Sequence, residues 1–249
     1  MRVIEYGKDN SKVIMLLHGG GLSWWSYRDV AEHLQQEYHV ILPVLDGHAG
    51  SDASFVSIEE NAKRIIQYID ENHNGQICLL GGLSLGAQIA VEIMSQRSDI
   101  CNAAIIESAL TMPMKMTHAL TKPMMDTSFG LISQEWFAKL QFKSLRIKSD
   151  LYKEYYRDTC QISKSDMIAF LKANSNYTVK SELSSTKAKV AIVVGAKEQS
   201  IMIRSAKQLH EMIPNSSLAI LDNMHHGEYS INHGKTYAEY AKHLLQTIV

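Results

Sequence analysis

The stretch GGLSLGAQIA, residues 81–90, decides how this 249-residue chain reads. The apolar run ICLL (77–80) precedes it and the helical pattern AQIAVEIMSQR (87–97) follows, so Ser84 stands on a sharp turn between a buried strand and a helix. Gly82 and Gly86 flank the serine at two residues on either side, where the lack of side chains lets a strained backbone pass close to its neighbours. The helix N-terminus behind Ser84 favours developing negative charge. The same letters also describe a small residue in a tight turn. A nucleophilic serine needs a base, an acid to orient that base, and N–H donors for an oxyanion, and these must come from elsewhere in the chain.

Working outward from Ser84, short runs rich in Val, Ile and Leu recur: RVIEY (2–6), KVIMLLHG (12–19), HVILPV (39–44), QICLLGG (76–82), AAIIES (103–108), KVAIVVGA (189–196) and SLAILD (217–222). They do not alternate apolar with polar, which predicts strands covered on both faces. Helices are expected at about 25–36, 58–72, 85–97, 201–212 and 236–247. Ile58, Ala62, Ile65, Ile66 and Ile69 form the stripe of a helix packed on a sheet, and Pro214-Asn215 stops the helix before the last strand. Strands alternating with helices predict an α/β protein with a mostly parallel sheet and helices on both faces. Between about 110 and 186 the alternation stops, and amphipathic fragments at Ser133–Phe142, Asp150–Thr159 and Ser165–Ala173 take its place. We read residues 1–109 and 187–249 as the core and 110–186 as a helical cap inserted over the site.

Bulk composition narrows the class. Lys and Arg total 25 against 26 Asp and Glu, a formal charge of −1, so no basic excess points to nucleic acid. The three cysteines are too scattered for a disulfide framework. MRVIEYGKDN lacks the apolar region of a signal peptide and no apolar run approaches a membrane span, so a cytoplasmic protein with neither membrane nor nucleic-acid partner is expected. The composition carries no signal for oligomeric state.

Loops after the other strands supply partners for Ser84. His18-Gly19-Gly20-Gly21 follows KVIMLL, and glycines at a strand end leave N–H groups free; the Gly20 and Leu85 N–H groups are the candidate oxyanion donors. His18 itself reads as structural, holding the loop through its imidazole. Two acids compete: Glu198, just past KVAIVVG, and Glu107, at the end of AAIIES. Chain order does not separate them. The base is expected in Asn223-Met224-His225-His226-Gly227-Glu228, with His226 favoured because Gly227 leaves room beside it and His225 as the alternative. A zinc site from His225, His226 and His233 lacks metal-ligand spacing, so no metal is expected. Trp24, Met112 and Met124 are candidates to line an apolar acyl pocket.

Together HGGG at 18–21, LDGHAGSD at 45–52, GLSLG at 82–86, GAKE at 195–198 and MHHGE at 224–228 resemble the α/β-hydrolase superfamily, over nearly the whole chain. LDGHAGSD is similar to the family's D-x-P-G-H-G-x-S loop, but with Ala49 after His48 and no proline before Gly47. The resemblance implies an eight-stranded, mostly parallel sheet, a helical cap and no cofactor. It carries the nucleophile role onto Ser84, the base role onto His226 and the acid role onto Glu198, where the family usually has Asp. It also implies a serine esterase acting on a small-molecule carboxylic ester of small to medium apolar acyl group. Thioester or C–C bond hydrolysis, cofactor-free elimination, and a small-molecule receptor with slow turnover are the alternatives on the same fold.

Overall fold

The computed structural model describes residues 1–248; Val249, the last residue of the expected core segment, lies outside the described residues. Each of the seven apolar runs forms a strand: β1 (Val3–Tyr6), β2 (Val13–Leu17), β3 (His39–Pro43), β4 (Ile77–Leu83), β5 (Cys101–Glu107), β6 (Lys189–Gly195) and β7 (Ser216–Leu221). They make one sheet in the order β1-β3-β2-β4-β5-β6-β7. Only β1 runs antiparallel, paired to β3 from Val3↔Pro43 to Tyr6↔Val40. The eighth strand implied by the family resemblance is not found among the described residues, because the chain has no eighth apolar run to form it.

The helices are α1 (Arg28–Leu34), α2 (Ile58–His73), α3 (Leu85–Gln96), α4 (Lys115–Ser128), α5 (Glu135–Leu145), α6 (Tyr152–Thr159), α7 (Lys164–Asn176), α8 (Ser200–Met212), α9 (Glu228–Asn232) and α10 (Gly234–Gln246). Among the described residues, none is long and apolar enough to cross a membrane. The strands lack alternation because both faces are cores. Ile14, Leu16, Leu79, Ile105 and Val193 pack under α1 and α10, whereas Met15, Leu17, Leu80, Ile106 and Ile192 pack under α2, α3 and α8. Successive strand residues point to opposite faces, so a sheet buried on both sides needs apolar side chains at every position.

Residues 115–185 contain four α-helices joined by short 3₁₀ turns. The expected fragments correspond to α5, α6 and α7; α4, which carries Pro123 in its interior, was not anticipated. Ser163 caps α7 by accepting the Asp166 N–H at 3.0 Å. Polar contacts fasten this region to the rest of the protein. Trp25 Nε1 donates to Asp158 at 2.9 Å, the Phe55 N–H to Asp166 at 2.8 Å, and Gln88 Nε2 to the Leu110 and Asn174 carbonyls at 2.6 and 2.9 Å.

Four acidic residues are buried: Asp46, Glu92, Glu107 and Asp158. Three have a cationic partner, Arg64 for Asp46, Lys180 for Glu92 and Arg157 for Asp158. Among the described residues Glu107 has none, and its carboxyl accepts only the Ser230 N–H, at 3.2 and 3.3 Å. Burial therefore pushes its pKa up from 4.5 to about 7, against the opposing pull of Ser230 and His226.

Two stability predictions follow from these placements. A Cβ on Gly86 would stand 2.1 Å from the Leu17 carbonyl oxygen, whereas one on Gly130 would meet nothing within 4 Å. Gly86→Ala is expected to lower unfolding free energy in urea by about 1–3 kcal/mol or more, and Gly130→Ala by less than about 1 kcal/mol. Because Glu107 binds its proton more tightly folded than unfolded, its contribution to stability falls as pH rises from 4.5 to about 7. Glu107→Gln keeps an acceptor for Ser230 and removes the titration. The stability difference in favour of the variant should widen over that range, by roughly 1.4 kcal/mol per pH unit, and then level off. A pH-independent difference in urea unfolding would disprove the assignment.

Candidate active site

The site lies at the C-terminal edge of the sheet, where chain connections leave β2 toward one side and β4 toward the other. Open α/β sheets bind ligands in such a crevice. Ser84 sits at φ 54° and ψ −112°, outside the regions L-residues ordinarily occupy, between the last residue of β4 and the first of α3. Its N–H donates to the Glu107 carbonyl at 2.9 Å and its own carbonyl accepts the Gln88 N–H at 3.0 Å. Such a conformation costs about 1–3 kcal/mol and persists only where surrounding structure enforces it. Enforcement comes from close backbone contact: the missing Cβ of Gly82 faces the Gly86 carbonyl, and that of Gly86 faces the Leu17 and His18 carbonyls.

Two buried histidines hold the loops beside Ser84. His18 Nε2 accepts the Leu45 N–H at 3.1 Å, so its Nδ1–H donates to the Gly19 carbonyl at 2.9 Å. His48 Nε2 accepts the Gly21 N–H at 3.0 Å, and its Nδ1–H donates to the Asp46 carbonyl at 3.0 Å. The rings meet edge to face at 4.9 Å, and Phe170 of α7 stacks on His48 at 4.6 Å. Burial holds both imidazoles neutral, His18 well below its ordinary pKa and His48 at about 4. Each then has one donor and one acceptor, which these bonds use. Gly20 is left beside Leu85, and neither the Gly20 nor the Leu85 N–H finds an acceptor among the described residues.

On the other side of Ser84, His226 Nδ1–H donates to Glu198 Oε2 at 2.7 Å. The Glu198 side chain is 1% exposed. Its Oε1 accepts from Ser108 Oγ at 2.7 Å and the Gly195 N–H at 2.8 Å. Burial alone would raise this carboxyl's pKa; the bonds from His226, Ser108 and Gly195 outweigh it and keep the group ionised. With Nδ1 committed, His226 Nε2 carries the free lone pair. Ser84 and His226 line one cavity of about 370 Å³. Ser84 Oγ makes no hydrogen bond among the described residues, a looseness common before substrate binds.

The structure thus brings Ser84, His226, Glu198, Gly20 and Leu85 together. Glu107 supports Ser84 from behind through its carbonyl and makes no bond to His226. His225 does not line the cavity; its N–H is tied to Glu228. Among the described residues, no group of three His, Cys, Asp or Glu side chains is arranged for a metal ion. The three pocket expectations need correction, since Trp24, Met112 and Met124 do not line the cavity. Arg28 covers the Trp24 ring at 5.3 Å. Met124 is 56% exposed on α4, and its neighbour Met125, one helical step of about 100° away, lines the cavity instead. Met167, Phe170 and Phe137 join it. Trp25, in the 3₁₀ turn before α1, is buried in the core.

Comparison with known proteins agrees with this architecture. Among solved structures, an esterase (EaEST) from Exiguobacterium antarcticum superposes with a TM-score of 0.81 at 17% identity, covering 98% of this chain and 94% of that one. A thermophilic esterase from Thermogutta terrifontis gives 0.79 at 15% identity, covering 99% and 93%. MenH from S. aureus gives 0.78 at 17% identity, covering 99% and 98%. At these identities the likeness is one of fold. No curated protein matches the sequence. Residues 8–229 match the hydrolase family described as Serine aminopeptidase, S33. With its mostly parallel sheet and its turn at Ser84, the chain belongs to that family, within the α/β-hydrolase superfamily.

Proposed function

We propose that this protein is a serine esterase acting on neutral carboxylic esters with apolar acyl groups. The observation that carries the proposal is that His226, bonded through Nδ1 to Glu198, lines the same cavity as Ser84. His226 Nε2 takes the proton from Ser84 Oγ as that oxygen attacks the ester carbonyl. The Gly20 and Leu85 N–H groups receive the oxyanion, and Glu198 stabilises the imidazolium. The tetrahedral intermediate collapses to an acyl-enzyme, and His226 returns the proton to the departing alcohol. Water activated by His226 then attacks the acyl carbonyl, and collapse of the second intermediate frees the acid and Ser84.

The cavity lining supports a neutral substrate. Met125, Ile132, Phe137, Met167, Phe170 and Ile231 supply most of its apolar wall, and no Asp, Glu, Lys or Arg lines it among the described residues. An aminopeptidase holds a substrate ammonium and needs a carboxylate for it. No carboxylate lines the cavity among the described residues, which favours the ester reading.

Fluorophosphonate labelling with peptide mapping tests the nucleophile: modification is expected at Ser84 and absent in Ser84→Ala, whose ester turnover should fall by about 10³-fold or more. Glu198→Gln should lose about 10³–10⁴-fold in kcat, against less than about tenfold for Glu107→Gln. The reverse ranking would move the acid role to Glu107. A p-nitrophenyl ester panel tests the cavity. Met125→Trp narrows it and should lower kcat/KM for longer acyl chains more than for acetate; an equal loss at every length would refute its place in acyl binding.

A further inference from the structure

Of the ten large hydrophobic side chains exposed among the described residues, eight lie between Met116 and Leu171, in the helical segment beside the cavity. Met116, Leu120 and Met124 recur every four residues along one flank of α4 and are 77%, 54% and 56% exposed. On α5, Trp136 and Leu140 repeat the spacing at 62% and 61% exposed. The Trp136 ring meets Phe137 edge to face at 5.6 Å, and Phe137 lines the cavity. Leu145 and Leu171 line the same cavity and are themselves open to solvent. Isolated exposed hydrophobes are ordinary; a set at helical spacing, confined to one insertion and joined to a cavity mouth, marks an interaction surface.

Charge selects the occupant. From 115 to 148 the chain carries Lys115, Lys122, Lys139, Lys143, Arg146 and Lys148 against Asp126 and Glu135, although the whole protein is near neutral. Lys115, Lys143 and Arg146 form no ion pair among the described residues. Two copies meeting through this face would oppose like charges. An interface bearing anionic headgroups would pair with the basic side chains while taking up the Trp, Leu and Met side chains between them. We infer that the outer face of α4 and α5 docks on an anionic lipid–water interface. Peripheral docking of this kind departs from the sequence expectation of no membrane partner. That expectation rested on the lack of a spanning segment, whereas this surface exists only once helical phase is known. If the esterase reading holds, the substrate class extends to esters of amphiphiles resident in such an interface, which reach the cavity past Leu145 and Leu171.

Co-sedimentation of the full chain with vesicles tests this without requiring turnover, so it stands or falls separately from labelling at Ser84. Binding is expected to phosphatidylcholine vesicles containing phosphatidylglycerol, with a blue shift in tryptophan emission, and to be weaker on phosphatidylcholine alone. Trp136→Gln/Leu140→Gln should weaken partitioning by about tenfold or more while retaining the parent far-UV circular dichroism. Lys115→Glu/Lys143→Glu should abolish the preference for phosphatidylglycerol. Absence of binding to the anionic vesicles, or binding that both double variants leave unchanged, would overturn the proposal. So would a dimer in light scattering that Trp136→Gln/Leu140→Gln dissolves, since a second copy would then cover the face.

Discussion

Everything at this site is referred to one backbone constraint, the left-handed turn at Ser84. The turn is stable because three neighbours close on it at once. The Glu107 carbonyl receives its N–H, α3 begins immediately behind it, and the β2 strand end passes so near that Gly86 has no room for a side chain. Strain in a single residue is thereby converted into placement: the side chain of Ser84 projects from the edge of the sheet rather than lying along it. The place of the glycine loop after β2 follows from the same contact, since the Leu17 and His18 carbonyls that press on Gly86 belong to the strand end from which Gly19 and Gly20 continue.

The fold was legible because burial on both faces leaves a plain signal. Seven unalternating apolar runs became seven strands, and the loops after four of them carried the groups that meet at the cavity. Strand ends are easy to locate, so Ser84, Gly20, Glu198 and His226 could be named from their positions. The choice between Glu198 and Glu107 was not legible. Both stand at strand ends, and which of them bonds His226 depends on the approach of the β6 loop to the β7 loop, where the Lys197 N–H meets the Met224 carbonyl.

Between residues 115 and 185 the sequence was a poorer guide. Here one residue of error changes which way a side chain points, so Met124 and Met125 have opposite fates on the same helix. Pro123 disguised α4 by interrupting the pattern that marks helices, and a methionine-rich segment reads equally well as core or as surface. The sequence also offered Trp24 as a pocket residue, whereas a tight 3₁₀ turn directs it under Arg28.

The paired imidazoles of His18 and His48 have a consequence for proton traffic. Each ring is locked by main-chain groups on both nitrogens, so neither can relay or store a proton without breaking a loop contact. The carboxyl of Glu198 is likewise saturated by three donors. The polar groups that hold the loops around Ser84 are thus occupied by fixed bonds. Of the ring nitrogens of His18, His48 and His226, only Nε2 of His226 has no partner among the described residues, and His226 lines the cavity that Ser84 lines.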